Sequence, residues 1–263
     1  GATLVVSDAP ALGCAAAARA GMPSVVVSNF TWDWIYAEYR EELASAPELI
    51  PALQAAYRLA AEAWRLPMHG GFETFRAPGR SGGVIDVPLV ARHSTQEPSY
   101  TRARLGLPME SRLVLPSFGG YGIAGLDLDR VDPGDPWHVV RRSDADIQDA
   151  GLRYEDLVRA VDVVITKPGF GIVSECIANG TAMVYTSRGR FAEYPVMVAE
   201  MPRYLRCAFI DNEALLAGRW RDALDAVLDA AAPPEVPRTD GAEVIADMIA
   251  AHLSGAADRC GRP

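Results

Sequence analysis

The sequence predicts an α/β fold in which parallel strands alternate with helices, and three observations predict it. Short apolar runs such as TLVVSD (Thr3 to Asp8), SVVVSNF (Ser24 to Phe30), RLVLPSF (Arg112 to Phe118), VDVVIT (Val161 to Thr166) and TAMVYTS (Thr181 to Ser187) read as strands buried on both faces. Stretches of helical composition separate them, as parallel pairing requires. A polar connector near 91–108 splits the runs into two series. The chain is therefore expected to hold an incomplete domain at 1–95 and a second domain at 108–255.

Taken in order, Pro10 opens an alanine-rich helix through Ala20, and Gly21 and Pro23 stop it before the strand at Ser24. Residues 31–66 read as helical in composition, and GGVIDVPLV (Gly82 to Val90) as a further strand or extended segment. A short helix from Thr101 to Leu107 leads into the second series. There WHVVRR (Trp137 to Arg142) precedes a helix from Tyr154 to Ala160, the strand ending at Thr166, and a helix from about Gly171 to Asn179 that Gly180 terminates. The tail from Asn212 to Leu253 is helical apart from a break at Pro233 to Pro237.

A chain of 263 residues with 49% apolar content can bury sizeable cores. The net charge of -9 argues against a nucleic-acid partner, which needs a basic face to neutralise phosphates. Any anionic ligand must be held locally. Cys14, Cys176, Cys207 and Cys260 show no CxxC or Cys/His spacing, so no metal site and no disulfide framework is indicated. No run reaches the roughly 18 apolar residues of a membrane span, and no signal sequence opens the chain. The expectation is a soluble cytoplasmic protein without a transmembrane segment.

KPGFG (Lys167 to Gly171) joins a strand to a helix with two glycines at the carboxyl edge of a sheet, where α/β proteins bind ligands. Small residues admit an anion, and free N–H groups of the first helical turn point at it. An ordinary strand-to-helix turn has the same spacing, so both readings stay open. Glu175 is expected in the first turn of that helix, able to accept hydrogen bonds from a ribose. GYGIAG (Gly120 to Gly125) matches GxGxxG, which raises an NAD-dependent oxidoreductase, but LDLDRVDPGDP follows where the dinucleotide fingerprint needs a helix. A glycine loop sharing an anion with KPGFG fits better.

SNFTWDWIYAEY (Ser28 to Tyr39) gathers Asn29, Trp32, Asp33, Trp34 and Tyr36 after a strand, a mixture suited to sugar rings. The bland alternative makes Trp34 and Ile35 core residues and Asp33 a helix cap. Asp8 is expected to cap the helix after it, with a place lining the same cleft as the alternative. His69, His93, His138 and His252 form no triad or HxxxH spacing. Lys167 either pairs with a phosphate or lies exposed beside one. There is no GxxxxGK[ST] loop.

SNFTWDWIYAEY, VIDVPLV, FGG, DVVITKPGFGIVSE, RGRFAEYP and AGRW together resemble the amino-terminal GT-B-like region of plant L-arabinokinases and bacterial relatives. The VSE after a glycine turn is more distantly similar to the donor motif of the UDP-N-acetylglucosamine transferase of peptidoglycan synthesis. The resemblance implies a GT-B-like fold of two facing Rossmann-like domains, with a final helix near Ala242 to Leu253 crossing back to the first. It implies a nucleotide-sugar donor, UDP-linked, with the diphosphate at Gly169, Phe170 and Gly171, Ser174 within the same motif and Glu175 on the ribose. Phe118, Gly119 and Gly120 would form the first loop of the donor domain, and Arg190 to Glu193 would border the sugar. Asn29, Trp32 and Asp33 fall on the acceptor side.

The implied reaction is inverting transfer of a sugar to an acceptor hydroxyl, needing no cofactor and no metal where backbone donors stabilise the leaving diphosphate. Asp8, Asp33 and His93 are candidate bases. Three departures limit the likeness: the opening βα units are absent, the stretch from FGG to Tyr154 is short for two βα units, and Pro202 interrupts the helix after Glu193. A sugar- or nucleotide-sugar-binding module without catalysis is the alternative.

Overall fold

Strands form where the apolar runs fall. β1 (Val5–Asp8), β2 (Ser24–Phe30), β3 (Glu62–Gly70) and β4 (Val84–Asp86) make one sheet in that order, all parallel. β5 (Arg112–Ser117), β6 (Trp137–Val139), β7 (Val163–Thr166), β8 (Ala182–Tyr185) and β9 (Cys207–Phe209) make a second parallel sheet in the order β6-β5-β7-β8-β9. The computed structural model describes residues 2–76, 83–119 and 122–260, those from 255 on by backbone alone.

The chain divides into two compact units, Gly1–Val90 with Arg190–Met197 and Arg238–Pro263, and Ala91–Gly189 with Val198–Pro237. In the first unit, α1 (Ala11–Arg19) and α3 (Leu49–Tyr57) cover one face of the sheet around Ala11, Cys14, Val26, Tyr57, Ala63, Phe72 and Phe75. Leu53 and Ala56 of α3 pack against that core, and Tyr57 donates from its hydroxyl to Ala9 O at 2.7 Å. The final helix, α11 (Gly241–Cys260), belongs to this unit. Its first residue must be glycine, because a Cβ there would run into the carbonyl oxygens of Pro88 and Leu89.

Residues 31–66 are not one helical region. α2 (Trp32–Ala37) and α3 occupy part of it, and β3 begins at Glu62 and lies between β2 and β4. EAWRLPMHG hides its strand character behind Ala, Glu, Arg and a proline. Pro67 is tolerated because the register with β2 shifts between Ser28 and Phe30, a break in the ladder where a missing N–H costs little.

The second unit is built round Val114, Trp137, Val139, Val163, Ile165, Val184, Leu215, Trp220, Leu224 and Val227. Trp220 is fully buried and satisfies its indole by donating to Leu215 O at 2.8 Å. α4 (Pro98–Arg104) and α6 (Tyr154–Ala160) pack together, and α6 also packs on α7 (Phe170–Asn179). Between Gly122 and Tyr154 the chain makes one short strand, β6, and the six-residue α5 (Asp144–Asp149), opened by a Ser143 capping box. α8 (Glu193–Glu200) gives way to a 3-10 turn at Met201–Arg203, where Pro202 cannot continue the helix ladder. α9 (Asn212–Leu216) and α10 (Arg221–Asp229) follow β9, a strand too short to stand out in the sequence.

Candidate functional site

The strand order of the second sheet fixes where a ligand site is expected. β5 pairs with β6 on one side and β7 on the other, so the chain reverses direction across β5, and the crevice outside the carboxyl ends of β5 and β7 is a switch point. Ser117 and Thr166 are register partners at that edge, and the Thr166 hydroxyl donates to Ser117 O. Beyond them the chain leaves as Phe118-Gly119 on one side and Lys167-Pro168-Gly169 on the other.

A cavity of about 980 Å³ opens at this edge, lined among others by Ser117, Phe118, Gly119, Arg142, Tyr154, Gly171 and Glu175. Its size suits a nucleotide-scale ligand, which typical sites of roughly 300–1,000 Å³ accommodate. α7 begins at Phe170 with Gly169 as an extended N-cap that offers no side-chain cap. The first helical hydrogen bond runs from Val173 N to Gly169 O, so the N–H groups of Phe170, Gly171 and Ile172 have no intrahelical partner. Two cations flank the turn. Lys167 Nζ donates to Gly122 O at 3.1 Å, and Arg188 Nη1 donates to Pro168 O at 3.2 Å.

Glu175 lies in the second turn of α7, not the first, because the helix starts at Phe170. The helix dipole fades within one turn, so a different charge must hold this carboxylate. Only 6% of Glu175 is exposed, and Arg92 supplies that charge, with Nε at 2.6 Å and Nη2 at 2.5 Å from Oε1. Burial raises the Glu175 carboxyl above its ordinary value, and the Arg92 bond opposes that rise. The Arg92 guanidinium also lies 5.9 Å from the Tyr154 ring centroid and 3.7 Å from Glu155 Oε2. Tyr154 shares a 2.6 Å hydrogen bond with the Ser117 hydroxyl, and burial pushes its phenol up to about 12.

Arg92, Arg188, Ser117 and Tyr154 were not marked by sequence reasoning, since Arg92 and Glu175 are 83 positions apart and no spacing rule connects them. Ser174 is buried, and its hydroxyl donates to Gly171 O at 2.9 Å, so it serves its own helix. Gly120 lies outside the described residues. From Gly122 onward the chain turns into a 3-10 segment at Leu128–Arg130, so the GxGxxG match lacks the helix a dinucleotide site requires.

The remaining candidates fall elsewhere. Glu193, which the resemblance puts beside the donor sugar, groups with the first unit, where Asn29 Nδ2 donates to its Oε1 at 2.6 Å. Both residues are buried. Asp33 does not cap α2, whose N-cap is Thr31. Instead it accepts from the Thr74 hydroxyl at 2.8 Å through Oδ2, while its buried Oδ1 has no hydrogen-bond partner among the described residues. Trp32 is half-buried between Phe30 and Tyr36, at ring distances of 5.2 and 5.4 Å. Trp34 packs where a Cβ on Gly70 would collide with its ring. Asp8 does not cap α1 either: Pro10 is the N-cap, no side-chain bond is made there, and Asp8 is exposed at the carboxyl end of β1. His93 belongs to the second unit and is exposed.

Among the described residues no group of three His, Cys, Asp or Glu side chains is placed to hold a metal ion, and no helix is long and apolar enough to cross a membrane.

No family model matches the chain. A curated L-arabinokinase of Arabidopsis thaliana is 28% identical over 247 residues, which is 85% of this chain but only 22% of that protein, so the chain spans under a quarter of the relative's length. Among solved structures, the calicheamicin glycosyltransferase CalG4 aligns with a TM-score of 0.57 at 16% identity over 95% of this chain and 73% of that one. The spinosyn forosaminyltransferase SpnP aligns with a TM-score of 0.50 at 13% identity over 86% of this chain and 67% of that one. At such identities the likeness speaks to fold. With two parallel α/β sheets and this likeness along nearly its whole length, the chain has the GT-B-like fold of glycosyltransferases and resembles in sequence part of an L-arabinokinase.

Proposed function

We propose that the second unit binds a nucleoside diphosphate sugar, UDP-linked, and that the protein transfers the sugar with inversion to an acceptor hydroxyl without a metal. The observation that carries this reading is the cavity at the β5/β7 switch point, with Glu175 on its wall and the uncapped start of α7 at its mouth. Glu175 takes the ribose hydroxyls. Gly119 with Phe118, and Gly169, Phe170 and Gly171, surround the diphosphate, with Lys167 and Arg188 as nearby counter-charges. Gly120 adjoins this loop in sequence.

In the reaction the acceptor oxygen attacks the anomeric carbon as the bond to the diphosphate oxygen breaks. The charge that grows on the leaving diphosphate meets fixed N–H dipoles and two cations, which need little reorganisation. The acceptor proton goes to a general base. Asp33 is enclosed and already bonded to Thr74, whereas Asp8 and His93 are open to solvent, so these two are the bases to test, Asp8 at a strand's carboxyl end first.

The test is incubation with UDP-sugars and an acceptor panel, following UDP release, in wild type and Asp8→Asn. Release that depends on both sugar and acceptor supports transfer. Donor binding without turnover for any acceptor supports the alternative of a nucleotide-sugar-binding module, and absence of donor binding sinks both.

A further inference from the structure

Arg92 holds Glu175 differently from the forked arginine–carboxylate pairs among the described residues. Arg65 takes both oxygens of Asp86, Nε to Oδ1 at 2.6 Å and Nη2 to Oδ2 at 3.0 Å. Arg203 likewise takes both oxygens of Glu235, at 2.9 and 3.0 Å. Such forked pairing adds geometric specificity as well as energy. Arg92 instead places Nε and Nη2 on the same oxygen, Oε1. Glu175 Oε2 accepts no hydrogen bond among the described residues, although the residue is buried and lines the cavity.

The backbone of Arg92 is itself fixed. Asn179, one turn beyond Glu175 on α7, donates from Nδ2 to Arg92 O at 3.0 Å and accepts from Ser94 N at 2.9 Å. The Ser94 hydroxyl donates to Asp156 Oδ1 on α6 at 2.7 Å. The connector segment is thus tied to both helices that carry the cavity wall, which fixes the backbone from which the Arg92 side chain reaches Glu175.

We propose that Arg92 is a positioning residue for ribose recognition: by occupying Oε1 alone, it aims Oε2 of Glu175 at the vicinal hydroxyls of a nucleotide ribose. The inference rests on the donor-site reading given above. A buried carboxylate without a counter-charge would take up a proton and become a poor acceptor. Arg92 opposes that uptake while one oxygen remains available. The charged and titratable groups facing Glu175 are Arg92 from the connector, Tyr154 and Glu155 from α6, and Cys176 on its own helix, with Arg153 answering Glu155 at 3.2 Å. Arg92 is the cation bonded to Glu175 itself.

The experiment is calorimetric titration of wild type, Arg92→Met, Arg92→Gln and Arg92→Lys with UDP and with its 2′,3′-dideoxy analogue, from mildly acidic to mildly alkaline buffer. Hydrogen bonds to a charged acceptor make the wild type prefer UDP by about tenfold or more. Both neutral variants should lose that preference in acid and regain part of it as pH rises and the unopposed carboxyl ionises. Arg92→Lys should keep the preference at every pH. A scaffold role alone would weaken both ligands equally and without pH dependence, and that outcome, or an intact preference in the neutral variants, overturns the proposal. A wild type that binds neither ligand, or binds them equally, overturns the donor-site reading instead. Using two neutral variants of different polarity keeps the test decisive if one of them folds poorly, which thermal melting would show.

Discussion

The two units place polar side chains at the carboxyl ends of their strands and then use them differently. In the first unit they are largely spent on one another: Asn29 on Glu193, Thr74 on one oxygen of Asp33, Arg65 on both oxygens of Asp86, with the enclosed Asp33 Oδ1 the exception. In the second unit they line a cavity, and Oε2 of Glu175 accepts no hydrogen bond among the described residues. Polar groups that satisfy each other stabilise a fold, while polar groups held with capacity to spare recognise a ligand. The difference teaches that a carboxylate at a strand end is a weak clue until its partners are known.

Four substitutions sharpen or break that contrast. Glu175→Ala should have the largest effect, a loss of about 1.5–3 kcal/mol in UDP binding, or tenfold and more in affinity by calorimetry. Its thermal midpoint should hardly move, because Arg92 is more than half exposed and rehydrates. Asn29→Ala should do the reverse. It strips a donor from the buried Glu193 carboxylate and costs about 1–3 kcal/mol of stability in thermal unfolding, with UDP affinity unchanged.

Lys167→Met should weaken UDP by about threefold to tenfold while leaving uridine unaffected, since the lysine serves the diphosphate and not the nucleoside. Equal losses for both ligands would remove Lys167 from the phosphate site.

Asp225→Asn should show the smallest effect. Hydrogen bonding from the Trp137 indole, with Arg221 and Arg112 nearby, holds the Asp225 carboxyl below its ordinary value. A depressed carboxyl stabilises the fold above its unfolded value, and the contribution is lost as pH falls through the folded one. The gap in thermal midpoint between wild type and Asp225→Asn should therefore be open at neutral pH and close in acid. A gap that is constant with pH would assign the Trp137 contact no electrostatic part.

Much of the second unit was legible in its sequence. β5, β7, β8 and α6 fall where apolar runs and helical composition put them, and Gly180 ends α7 with φ of 72°, the left-handed conformation that glycine adopts without strain. The turn from Lys167 to Gly171 was legible for the same reason, being local. β3 was not, because a strand flanked on both sides can carry Ala, Arg and Pro once its neighbours supply the ladder. Glu193 was put beside the donor sugar by the resemblance alone, and its segment, Arg190–Met197, groups with the first unit. Arg92 sits in a connector that looked merely polar, and only the folded chain brings it to Glu175.

The most direct test of the central claim is hydrogen–deuterium exchange of the wild-type protein with and without saturating UDP. Added protection is expected over 115–119 and 166–176, with the connector around Arg92 protected alongside them and the segment around Asn29 and Asp33 little changed. Protection centred on Asn29 to Asp33, with none at the β5 and β7 edge, would contradict it.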